Sequence, residues 1–181
     1  EKTETRYVKM ADQCHRNGYM SALRTLKLIQ QMFEGHNLQL QILLRRQRNA
    51  VSIDVMMSIV QLFILLVDSS SSLQKMESIE IELVITCLSC LQESMEGPCD
   101  SNQLLVIVDG FVNSLAIMLS FDRFHRIPST LKISCKATAI CTIAAALESR
   151  QNMLVHDIII RDIRYDLVSS VIESLHTRLA K

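Results

Sequence analysis

Tryptophan is absent from this chain of 181 residues, and aromatic residues make up only 4% of it. Four glycines and two prolines are equally sparse. All-β folds, with their many turns, use more of both classes, so these absences exclude them and leave helix as the main element. Net charge is missing too: 19 basic residues balance 19 acidic ones. A general electrostatic attraction to nucleic acid or to an anionic membrane is therefore not expected. No apolar run reaches the roughly 20 residues of a membrane span. The longest, "VMMSIVQLFILLV" at 55–67, contains Ser58 and Gln61 and reads as a buried helix. Catalytic signatures are also lacking: there is no HExxH, no GxSxG, no P-loop, no dinucleotide fingerprint and no Cys–His pairing. The expectation is a protein that is not an enzyme. With no initial Met and no signal-peptide pattern, the expected context is a fragment of something larger.

Hydrophobic residues, at 49%, are abundant and fall at helical spacing almost throughout. Residues 4 to 16 predict an opening helix broken at Asn17 and Gly18. Leu23, Leu26, Ile29 and Phe33 form a stripe on the next. Asn37 suits the N-cap of a short helix with Leu40, Leu43 and Leu44 on one face. A helix over about 52–68 is apolar all round and so is expected to be buried on most sides. "DSSSS" at 68–72 reads as a loop. A helix over about 74–95 is stopped by Gly97 and Pro98. Asp100 or Ser101 then caps a helix running to about 120, with Leu104, Val108, Phe111, Leu115 and Met118 inward. "FDRFHRIP" connects to a helix over 129–149 rich in Ala and Cys. One or two further helices fill 152–180, with a joint near Arg161 to Arg164. The sum is a single all-α domain over 1–181, an armadillo-like solenoid of about seven helices.

Six cysteines raise the question of metal or redox chemistry. "CLSC" (87–90) has the spacing of a ligand pair, but zinc takes four ligands and no second pair or paired His follows. A redox pair would open a helix after a strand, and this one lies mid-helix. Cys87, Cys90, Cys135 and Cys141 are expected to be reduced, buried packing residues in a cytosolic chain. "LLRRQR" (43–48) reads as a solvated face or an interdomain contact. Glu34 and Glu93 stand at the C-terminal ends of two long helices, where a negative charge is mildly unfavourable beside the helix dipole. The last carbonyls there are expected to be unpaired. Carboxylates and carbonyls together are what a hard cation such as calcium uses, although Glu is also simply common near helix ends.

Four segments in order resemble one family. "EGHNLQLQILLRRQ" (34–47) is similar to the ENHN-x-x-LQ-x-x-LR-x-Q element of the RIH-associated domain of inositol trisphosphate and ryanodine receptors. "ESMEGPCDSNQ" (93–103) is similar to its E-Y-x-QGPC-x-x-NQ element. "AALESR" (145–150) and "IRYDLVSSVIESL" (163–175) resemble later segments of the inositol trisphosphate type. The resemblance covers about 26–178. It departs at Gly35, Ser94 and Glu96, where the family pattern has Asn, Tyr and Gln.

The resemblance implies a cytosolic helical relay in a homotetrameric calcium-release channel of the endoplasmic reticulum. Its partners would be other domains of the same channel, with no membrane insertion by this segment itself. It also implies an activating calcium site that includes Glu34 and Glu93, completed by a backbone oxygen from the C-terminal part of the parent. Two side chains underfill a cation that wants six to eight oxygens, so calcium binding by this segment alone would be weak. The rival expectation is an armadillo-like scaffold that binds a partner helix and no ion.

Overall fold

The computed structural model describes residues 2–48, 51–97, 99–124, 127–148 and 153–179, with side chains from 13 to 177. Pro98, His125, Ser149 and Arg150 lie outside the described residues. Within them the chain is all-α: ten α-helices and one 3-10 turn, with no strand. The ten differ from the expected seven or so because the serine run forms a helix, 100–120 and the tail each divide into two, and the two opening segments merge into one.

The opening helix α1 (Lys2–Phe33) runs unbroken through Asn17 and Gly18. A helical Gly costs only about 1 kcal/mol relative to Ala, which the 32-residue helix absorbs. A short helix α2 (Leu38–Leu43) begins at Asn37, whose side chain accepts from the Leu40 amide as expected. Helix α3 (Val55–Leu66) is capped by Asp54. Its burial is one-sided: Met56, Ile59, Val60 and Phe63 are buried, whereas Gln61 and Leu65 are exposed. The serine run forms α4 (Ser70–Lys75), because the Ser69 hydroxyl accepts from the Ser72 amide and starts a helical turn.

Helix α5 (Ser78–Met95) is the centre of the molecule. Its start carries a reciprocal cap: Glu80 accepts from the Glu77 amide at 2.8 Å, and Tyr19 of α1 donates to the same carboxylate at 2.9 Å. The helix expected over 100–120 is broken into α6 (Asp100–Gln103), a 3-10 turn (Leu104–Ile107) and α7 (Phe111–Ser120). Cys99 occupies the N-cap position of α6. Gly110, at φ +86°, allows a 72° bend before α7, and Leu104 is turned outward. Helices α8 (Ser129–Leu147), α9 (Met153–Asp162) and α10 (Tyr165–Leu179) follow, with the joint at Arg161 to Arg164 where the sequence placed it.

Helices α1, α3 and α8 all pack on α5, which contributes ten buried residues. One apolar cluster runs from Leu23 to Val171. Phe63 of α3 meets Phe111 of α7 edge to face at 5.4 Å. Helix α8 is long and apolar enough to cross a membrane by length and composition. Its buried Cys135, Ala139, Ala145 and Ala146 are small, however, and permit a close approach to α5. Cys87 and Cys90 are buried as expected, but Cys141 lies on the exposed side of α8.

Candidate functional site

Two tight joints, far apart in sequence, meet at one end of α5. At the first, α1 stops at Phe33. Gly35 (φ +82°) and His36 (φ +54°) are both left-handed, which reverses the chain before Asn37 starts α2. At the second, α5 stops at Met95 and Gly97 is again left-handed, at φ +82°. A Cβ on Gly97 would lie 2.5 Å from the Cβ of His36, so only glycine allows the two turns to touch.

Buried amides lock this contact. Gln41 is 0% exposed, and its Nε2 donates to the carbonyls of Glu93 (3.1 Å) and Glu96 (3.0 Å). Asn102 donates to the Ser94 carbonyl at 2.9 Å. Gln103 reaches the far end of α8, donating to Ala145 (3.0 Å) and Glu148 (2.9 Å). Helix C-termini leave carbonyls without intrahelical partners. Here side chains from α2 and α6 supply the partners. The terminal carbonyls of α5 expected to be unpaired, those of Glu93, Ser94 and Glu96, thus each have a side-chain donor.

The same elements are fastened from outside. Arg45 pairs with Asp54 at 3.1 Å and donates to the Ser101 carbonyl, tying α2 to α3 and α6. The Gln47 carboxamide accepts from the Ile53 amide at 2.7 Å and donates to the Leu43 carbonyl at 2.6 Å, closing the loop between α2 and α3. Gln41, Arg45, Gln47, Asn102 and Gln103 all belong to the two polar sequence elements, and all have structural work. Sequence reasoning noted their fixed spacing but not their role. The available signal was angular: Gln41 shares the inward side of α2 with Leu40 and Leu44.

Glu34 and Glu93 have no comparable role. Among the described residues neither carboxylate makes a hydrogen bond or an ion pair. Glu34 is exposed and Glu93 half-buried. The Glu93 carboxyl is pushed above the usual range, first by burial and then by the charge of Glu96. Glu34 adds to the rise, and His36 opposes it. The four side chains therefore share one electrostatic neighbourhood. Glu96 also accepts from Gln92 at 2.8 Å, and Glu148 accepts from the Gly97 amide at 3.4 Å. The joint is rich in carboxylate oxygen and has two buried, unpartnered amide oxygens among the described residues, Oε1 of Gln41 and Oδ1 of Asn102. Hard oxygen donors of this kind suit calcium. No group of three or more His, Cys, Asp or Glu side chains that could hold a metal occurs among the described residues.

The CLSC pair has different surroundings. Both thiols are buried, Cys90 donates to the Leu26 carbonyl at 3.0 Å, and burial pushes its thiol up to about 12. Such a thiol packs; it does not ionise for metal or redox work.

The family described as RyR and IP3R Homology associated matches this sequence over residues 16–119. The match spans α1 from Arg16 through most of α7 and includes both polar elements. "AALESR" and "IRYDLVSSVIESL" fall beyond it. No curated protein matches the chain.

Proposed function

This chain belongs to the RyR and IP3R Homology associated family, and from that membership we propose that it is a regulatory relay of an intracellular calcium-release channel. In this reading it is a binding and coupling element without catalysis, on the cytosolic face of the endoplasmic reticulum. It acts within a homotetramer through other domains of the same channel. The inositol trisphosphate type is favoured by the two later segments at 145–150 and 163–175.

Glu34 and Glu93 are proposed as this chain's share of an activating calcium site. The observation that supports the reading is the contact of the two joints, beside which Glu34, His36 and Glu96 all act on the Glu93 carboxyl. Calcium bound there would neutralise like charges that now oppose one another. The chain's own part is to hold the two carboxylates on rigid helix ends: the Gly97–His36 contact fixes their approach, and Gln41 fixes the end of α5. Burial, Glu96 and Glu34 all disfavour the charged form of Glu93, and a bound cation would favour it.

In the full channel, Glu34→Gln with Glu93→Gln is expected to shift calcium activation to higher concentration by roughly tenfold or more, a loss comparable to removing support from a metal site. The helical circular dichroism of the 181-residue chain should not change. The proposed site is wrong if the double variant activates at the same calcium concentration as the parent.

A further inference from the structure

Helix α2 is built inside out. Its one fully buried side chain is the amide Gln41, while Leu38 (47% exposed), Ile42 (47%) and Leu43 (45%) face outward. Leu43, expected on one face with Leu40 and Leu44, is turned away from them: the inner side of α2 is given to Gln41, with Leu40 and Leu44 half-buried beside it. A groove of about 590 Å³ lies along this outer side, lined by Ile42 and Leu43, by the half-buried Leu40 at its edge, and by Arg46 and Arg48. From Leu38 to Arg48 the sequence has three arginines and no acidic residue. Arg45 is neutralised by Asp54. Arg46 and Arg48 are exposed and make no ion pair among the described residues.

We propose that this face of α2 is a docking site for an amphipathic helix that carries acidic residues along one edge. The apolar stripe would take leucine-like anchors at i, i+3 or i+4 spacing, and the two arginines would take the acidic edge. Arginine suits that task because its planar guanidinium grips a carboxylate through two hydrogen bonds. Charge complementarity selects the occupant: the chain is neutral overall, yet this groove has cations without counter-charges. An anionic membrane is a poorer fit. A six-residue helix offers too little apolar length to lie in an interface. The site is independent of Glu34 and Glu93, so it stands or falls apart from calcium binding.

A library of helical peptides of roughly 14 residues, with a fixed Leu stripe and edge positions varied among Glu, Gln and Lys, tests the proposal when selected on the 181-residue chain. Glu-edged peptides should be enriched. Their affinity should fall by roughly tenfold or more with Arg46→Glu and Arg48→Glu, and again with Ile42→Ser, while circular dichroism stays unchanged. Enrichment of Lys or Gln edges, no enrichment, or binding indifferent to charge reversal overturns it. So does sedimentation with phosphatidylserine vesicles that needs both arginines and that no Glu-edged peptide relieves, which would assign the face to a membrane.

Discussion

A glutamine with no exposed surface sits in α2 between positions filled by Leu40 and Leu44. Replacing Gln41 by Leu would improve the apolar pattern and damage the protein, because the Glu93 and Glu96 carbonyls would lose their donor. A buried acceptor left unpaired costs about 1–3 kcal/mol. With two affected, Gln41→Leu should destabilise by about 2–4 kcal/mol in urea unfolding. A neutral result would mean that solvent reaches those carbonyls. Gln41 also shows why the site was only half legible. Its spacing stands out in the sequence, but the carbonyls it serves lie 52 and 55 residues away, and only packing reveals them. Glu34 and Glu93 stand out for the opposite reason, since charge at an apolar helix end is conspicuous without a partner, but the calcium role proposed for them comes from the resemblance.

At the scale of elements, the long apolar helices were readable because their stripes repeat many times, and the errors gather where one residue decides. Gly18 reads as a break in the sequence, but nothing lies within 4 Å of a Cβ built on it and α1 continues through. Gly110 was passed over, yet it turns the chain by 72°. The same residue type has opposite meanings because conformation, not identity, sets the outcome. Two substitutions separate them. Gly18→Ala should stabilise by about 0.5–1 kcal/mol, since it removes backbone freedom from the unfolded chain at a helical position. Gly97→Ala should destabilise by about 2–4 kcal/mol, since Ala must take a left-handed φ and its Cβ collides with that of His36. Urea midpoints should move in opposite directions. If Gly97→Ala moved upward, the two joints would not be in contact. The serine run fails the same way, because Ser69 is both a good loop residue and a good cap, and only the Ser72 amide decides between them.

The whole molecule turns on α5, which receives α1, α3 and α8 and whose far end supports the acidic joint. A relay needs that continuity: a force on the joint can reach α8 only if Gln103 and the apolar cluster hold the two helices together. The cysteines report on this. Cys87 and Cys90 lie in α5, Cys135 in α8 and Cys99 at the joint, all buried, whereas Cys14 and Cys141 are exposed. Burial pushes Cys90 and Cys135 up to about 12, and at pH 8 a thiol at that value is ionised in only roughly one molecule in 10⁴. A disulfide reagent should therefore titrate two thiols of the folded chain quickly and all six only in denaturant. If the core is one cooperative unit, the slow thiols will appear together and at the urea concentration where helical circular dichroism is lost. Early release of Cys135 alone would show that α8 opens independently of α5, and a relay through that interface could not then be sustained.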